Sequence, residues 1–185
     1  AGPHLGSALH LSVAAGITSD SMASWLGTQR IVRAMPNTPA LVGLGMTGLF
    51  ARDGASAADR ALVEAVVRTT GELVWVAAER DLDAVTALSG SGPAYVFYFL
   101  EAMRDAGARM GLPADTALQL AVGTFVGAAT LAQRSGEPPQ VLRERVTSKG
   151  GTTYAALTAM EAAGMKASFE KALQAAQQRA EELGR

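Results

Sequence analysis

Leu88-Ser-Gly-Ser-Gly-Pro-Ala-Tyr95 divides the chain into two kinds of sequence. Before it, short β-rich runs alternate with helical ones. After it, nearly everything reads as helix. Two glycines, two serines and a proline in so short a span predict a tight turn whose backbone N–H groups lie close to any bound ligand. Pro93 suits the first turn of a helix, where no N–H is needed, and Tyr95 opens an apolar run to Leu100. A junction between two architectures is a favoured place for a ligand.

Upstream, four runs read as strands: Leu9 to Val13, Ile31 to Met35, Met46 to Phe50 and Leu73 to Val76. Between them, Ser19 or Asp20 caps a short helix to Leu26 that Gly27 stops. Ala57 to Arg68 carries Leu62, Val63, Val66 and Val67 on one face and Arg60, Glu64 and Arg68 on the other, the pattern of an amphipathic helix. Pro36-Asn37-Thr38-Pro39 fixes an extended or turning path after the second strand. Strands separated by helices predict an α/β layer. A complete mononucleotide-binding unit starts with a strand, a G-x-G-x-x-G turn and a helix. Gly43, Gly45 and Gly48 have that spacing, but they follow no strand and open no helix, so they read as loop glycines. The opening unit of such a domain is therefore expected to lie outside this sequence.

Downstream, Ala94 to Met110 reads as helix, with Asp105 and Arg109 as an i,i+4 ion pair. Ala114 to Arg134 is a second long helix, roughly 30 Å at 1.5 Å per residue. Its Gly123 and Gly127 cost helix propensity and suit the close approach of another helix. A short helix from Pro139 to Val146, a loop from Ser148 to Thr153, a helix from Tyr154 to Ala163 and a final helix capped by Ser168 and ending at Leu183 complete the chain. The middle helices are apolar almost all round. One small bundle has little interior to hold them, so a second copy of the chain is expected to cover them.

Of the 185 residues, 49% are hydrophobic, and 16 Lys plus Arg against 17 Asp plus Glu give a net charge of -1. That balance lacks the basic stripe that nucleic acid or an anionic membrane demands. With two histidines and no cysteine, a Cys/His zinc site, a thiol nucleophile and a disulfide are all excluded, and no metal is expected. Apolar runs break before about 18 residues, so no membrane span is expected, and no basic-then-apolar leader opens the chain. A cytoplasmic protein fits these features. The charged turn Glu79 to Asp83 reads as solvent-facing, His10 as packed or at a strand edge, and His4 as terminal. Two Gly- and Ser/Thr-rich loops remain, Ser89 to Gly92 and Ser148 to Thr153, each leading into a helix. Such loops present unpaired N–H groups to a carboxylate or phosphate. The plainer alternative is that Thr152 or Thr153 merely caps its helix and that Lys149 points into water.

Four runs in order, Ser12-Val-Ala-Ala-Gly-Ile17, Val32-Arg-Ala-Met-Pro-Asn-Thr-Pro39, Leu88 to Tyr95 and Val146-Thr-Ser-Lys-Gly-Gly-Thr-Thr153, resemble the successive motifs of the pyrroline-5-carboxylate reductases. The resemblance covers essentially the whole chain. It implies the C-terminal portion of a Rossmann-type NAD(P)-binding domain at residues 1–82 and an all-helical dimerisation and substrate-binding domain at residues 83–185. The implied reaction is reduction of Δ1-pyrroline-5-carboxylate to L-proline, the last step of proline biosynthesis, with NADPH, or NADH, as donor. The implied assembly is a homodimer that can build further, to a decamer. By the same resemblance, Ser148, Gly150, Gly151, Thr152 and Thr153 bind the substrate, with Thr153 the catalytic hydroxyl. Ser89, Gly90, Ser91 and Gly92 line the nicotinamide side, and Asn37 and Pro39 the dinucleotide edge. Lys149 stands where many members have proline. Two alternatives accompany this reading: a β-hydroxyacid dehydrogenase, for which Lys149 in a glycine-rich loop is a poor match to a helical catalytic lysine, and an inactive dimerisation module.

Overall fold

The computed structural model describes residues 7–184, so His4 lies outside the described residues. Two compact units make up the chain: Ala1–Pro93 with Lys171–Arg185, and Ala94–Glu170.

The first unit is built on a four-stranded sheet of β1 (His10–Ser12), β2 (Ile31–Met35), β3 (Gly45–Ala51) and β4 (Gly71–Trp75), in that order. β1 runs parallel to β2, with Ser12 beside Arg33. β2 and β3 are antiparallel, with Met35 opposite Gly48, and β3 and β4 are parallel. Strand alternation divides β2 between two layers. Val32 and Ala34 pack with Leu49, Ala51, Val63 and Val67, which places α2 (Ala57–Val67) on one face. Ile31 packs with Met22 and Ala23 of α1 (Ser19–Leu26) on the other. Every residue of β2 is buried, Arg33 included.

Local chemistry sets the element ends. Thr18, rather than Ser19 or Asp20, caps α1 by accepting from Ser21 N, and Gly27 closes it in the left-handed region at φ 68°. Ser56 and Asp59 form a reciprocal capping box at the start of α2. Pro39 lies in a 3-10 turn, Thr38–Val42, that Gly43 ends. Gly45 and Gly48 lie inside β3. A Cβ on Gly48 would stand 2.6 Å from Val85 Cγ1, and one on Gly71, at φ 147°, 2.1 Å from the Gly45 carbonyl oxygen. These glycines serve sheet packing.

The tight turn expected at Leu88 to Tyr95 takes another form. α3 (Asp81–Val85) runs directly into one turn of π-helix, Thr86–Gly90, and α4 (Gly92–Arg109) begins two residues later. The wide turn is closed by Ser91 N donating to Thr86 O at 2.8 Å. The sequence pattern marks the interruption correctly. The backbone, however, satisfies its polar groups by widening the helix instead of leaving it.

In the second unit, α5 (Ala114–Ser135), α6 (Pro139–Arg145) and α7 (Thr152–Ala162) follow α4, and α8 (Met165–Leu183) begins there. Gly107 lets α5 close on α4: a Cβ there would stand 2.6 Å from Ala117 Cβ. The glycines singled out for close approach, Gly123 and Gly127, have nothing within 4 Å. Phe169 receives Tyr95 and Phe99 edge-on at 5.7 and 5.8 Å. Three sequence expectations are corrected here. Asp105 pairs with Arg104 at 2.8 Å instead of Arg109. Thr152 and Thr153 belong to α7. Ser168 lies inside α8, its N–H on the Gly164 carbonyl.

Among the described residues, α4 buries only Gly107 fully, and α5 only Ala117 and Ala121. Phe97, Tyr98, Leu120, Val126 and Leu131 are all more than half exposed. Isolated apolar residues at a surface are ordinary, but a surface of this extent marks an interaction face. By length and composition α5 also reaches what a membrane span requires, which corrects the expectation that every apolar run breaks too early. Its packing on Gly107 is the contact of a helix inside a bundle.

Candidate functional site

Because β1 and β2 are parallel and adjacent, the segments that leave them, residues 13–17 and 36–39, emerge from the same edge of the sheet. In open α/β sheets the crevice outside the carboxyl ends of the strands is where ligands bind. The Asn37 amide stitches this edge together. Its Nδ2 donates to the Ser89 carbonyl at 3.1 Å, and its Oδ1 accepts from Met46 N at 2.9 Å. Pro36, Asn37, Thr38, Ala40, Leu41 and Gly90 line an open cleft of about 380 Å³. The structure thus brings Asn37 together with Ser89 and Gly90, although they lie far apart in sequence.

Ser89 Oγ donates to the Val85 carbonyl at 3.1 Å, which turns the hydroxyl back along its own helix. A Cβ on Gly90 would make only ordinary contacts with Thr86 and Met35, and one on Gly92 would meet nothing within 4 Å. Packing inside the chain does not demand glycine at either place. Bare backbone there gives room for a ligand.

The second glycine-rich segment belongs to the other unit. Gly150 turns the chain at φ 78°, and Gly151 N donates to Ser148 O at 3.0 Å. A Cβ on Gly151 would stand 2.6 Å from Ser148 Oγ, so this turn has no space for a side chain. Gly151 is the N-cap of α7, and no side chain caps that helix. Capping by Thr152 or Thr153, the plainer alternative, is therefore not what these residues do. The first N–H groups of α7 remain for an external acceptor, with the positive end of the helix dipole behind them. Thr153 is half-buried, while Ser148, Lys149 and Thr152 are exposed.

One polar network of the first unit escaped sequence reasoning. Arg33 Nη1 pairs with Glu79 Oε1 at 2.8 Å, and its Nη2 donates to the Ala14 carbonyl at 3.4 Å. Glu79 also accepts from Ser19 N at 2.6 Å and from Ser19 Oγ. Burial alone pushes the Glu79 carboxyl up, but the Ser19 bonds and Arg33 outweigh it and leave it below its ordinary value. Asp83, on the same side, is raised by burial first and then by the Glu181 charge. Glu79 is therefore no solvent-facing member of a charged turn. An arginine in the middle of the apolar strand Ile31–Met35 was the available signal, because a buried guanidinium requires a counter-charge. His10 lies on the edge strand β1 with its Nε2 buried and unpartnered. Among the described residues no cluster of His, Asp and Glu is arranged to hold a metal.

The family model described as pyrroline-5-carboxylate reductase dimerisation matches residues 79–183. The chain is 47% identical over 176 residues to a pyrroline-5-carboxylate reductase of Pseudomonas aeruginosa, covering 95% of this chain and 64% of that one. To the Arabidopsis thaliana enzyme it is 43% identical, covering 94% and 62%. It thus spans somewhat under two thirds of the length of these curated relatives. Among solved structures, the pyrroline-5-carboxylate reductase of Coxiella burnetii matches with a TM-score of 0.93 at 41% identity, covering 98% of this chain and 68% of that one. The pyrroline carboxylate reductase of Plasmodium falciparum, solved with NADP bound, matches at 0.91 and 32%, covering 100% and 74%. With relatives from bacteria and plants aligned along nearly all of it, the chain belongs to the pyrroline-5-carboxylate reductase family.

Proposed function

We propose that this chain is the larger part of an enzyme that reduces Δ1-pyrroline-5-carboxylate to L-proline with NADPH, or NADH, in the cytoplasm, as a homodimer that can assemble further to a decamer. Residues 1–82 then form the later part of the dinucleotide-binding domain, and residues 83–185 the helical dimerisation and substrate-binding domain. The observation that carries the reading is the N-terminus of α7: glycine at the cap, no side-chain acceptor, and a half-buried threonine in its first turn.

Bound NAD(P)H supplies the hydride. The protein's part is to position and to neutralise. The first N–H groups of α7, those of Thr152 and Thr153, receive the substrate carboxylate, and the turn of Ser148, Gly150 and Gly151 leads the chain into that helix end and lines the site. That places the five-membered ring beside Thr153, whose hydroxyl accepts from the protonated ring nitrogen. Protonation makes the adjacent carbon electrophilic, and hydride addition there turns the C=N bond into the secondary amine of proline. Positioning then replaces strong acid catalysis. Ser89, Gly90, Ser91 and Gly92 line the nicotinamide side, where the absence of side chains at Gly90 and Gly92 leaves the required room. Asn37 and Pro39 form the dinucleotide edge, Asn37 by holding Ser89 in place.

Thr153→Ala in the protein as encoded in full tests the assignment. Loss of one hydrogen bond to a charged centre is worth about 1.5 to 3 kcal/mol, or roughly 10- to 150-fold in rate. The expected outcome is a kcat lowered by that order, with NADPH affinity unchanged. A normal kcat removes Thr153 from the site.

A further inference from the structure

Arg33 is 8% exposed in a strand whose other residues are all buried and uncharged, and its partner Glu79 lies 46 positions away in sequence. A buried ion pair returns about what its desolvation costs, so stability does not account for one. Its connections are more informative. Through Nη2, Arg33 reaches the Ala14 carbonyl, in the segment that leaves β1. Through Glu79 it reaches both donors of Ser19, the first residue of α1. Arg52 Nη1 meets the same Ser19 hydroxyl at 2.9 Å. Glu79 itself stands just before α3, whose π-turn extension carries Ser89 and Gly90 to the cleft beside Pro36 and Asn37. One ion pair therefore joins the segment after β1, the start of α1 and the element that ends at Gly90.

We infer that Arg33 and Glu79 are positioning residues that set the spacing between the Ala14 turn and the Ser89–Gly90 segment, and with it the width of the crevice that admits the dinucleotide. This rests on the reading of residues 36–39 and 89–92 as the cofactor side. Asn37 ties Ser89 to the segment after β2, and Arg33–Glu79 ties the root of the same element to the segment after β1. With both ties in place the crevice is formed before the cofactor arrives, so less ordering has to accompany binding.

The test is the double variant Arg33→Met with Glu79→Gln in the protein as encoded in full. No unpaired charge is left buried, and the new amide oxygen can still accept from Ser19. NADPH affinity is measured by fluorescence titration, the Michaelis constant for pyrroline-5-carboxylate by steady-state kinetics, and folding by a melting curve. The expected result is an NADPH Kd raised roughly tenfold, equivalent to about 1.4 kcal/mol, with the substrate KM changed less than about twofold. A purely structural pair would lower the melting temperature and leave the Kd of the folded protein alone. That result overturns the inference. Glu79→Asp, which keeps both charges and shortens the tie by one methylene, is the second arm, and here too a wild-type Kd overturns it. A wild-type protein that binds no NADPH removes the cofactor reading and this inference together. Binding by the wild type with equal binding by both variants removes this inference alone.

Discussion

Asp59 shows how much a single carboxylate can organise. It accepts from Ser56 N and Ser56 Oγ at 2.9 Å each and from Arg30 Nε at 2.9 Å. Arg30 first, then the Ser56 backbone, hold its carboxyl well below the usual carboxylate range. In the unfolded chain an aspartate takes up its proton near pH 4. Below that pH the unfolded state binds more protons than the folded one, so the stability that Asp59 contributes is complete above about pH 4 and is lost as pH falls further. Asp59→Asn should lower the melting temperature at pH 7 and flatten its decline between about pH 4 and pH 2. Parallel pH profiles for variant and wild type would show that the carboxylate is not the coupled group. The capping half of this arrangement is visible in the Ser-x-x-Asp spacing of residues 56 to 59. The Arg30 half is not, because only the folded sheet brings that side chain alongside.

At the level of elements, strands and helix ends were legible where the local chemistry is strong. Ile31 to Met35 forms β2 with both ends as read, and Gly27 and Gly164 end their helices in the left-handed region. Reading failed where a local pattern has two physical outcomes. Gly, Ser and Pro at Ser89 to Pro93 permit a loop, but they equally permit a π-turn that keeps the helix continuous. The threonines at 152 and 153 could cap α7, yet glycine does so, and they become the first helical residues. Close helix packing was read from Gly123 and Gly127, whereas within the chain it occurs at Gly107 against Ala117. Spacing reveals that glycines share a face, not what stands opposite. Gly107→Val forces α4 and α5 apart and should destabilise the protein by about 1 to 3 kcal/mol, read as a lowered midpoint of chemical unfolding. A midpoint at or above the wild-type value would mean that the two helices do not depend on this contact.

At the scale of the whole molecule, the apolar surface of α4 and α5 and the open faces of Gly123 and Gly127 call for a partner. The proposed dimer supplies one. Substituting Leu at both Gly123 and Gly127 tests this, since within one chain a Cβ at either position meets nothing within 4 Å. Size exclusion with light scattering should give a dimer for the wild type and a shift toward monomer for the variant, with helicity kept. An unchanged dimer would place the interface elsewhere on these helices. The proposed reaction class was legible only through four motifs taken together in order. No single residue announces it, because the proposed site relies on backbone N–H groups, glycine space and one hydroxyl, and not on the acids, histidines or thiols that usually signal an active centre. The most direct measurement is therefore turnover itself: NADPH consumption by the protein as encoded in full, with and without Δ1-pyrroline-5-carboxylate, and with the product identified. Consumption is expected to depend on the imine and to yield proline mole for mole. Folded, dimeric protein that binds both compounds yet forms no proline would contradict the proposed reaction.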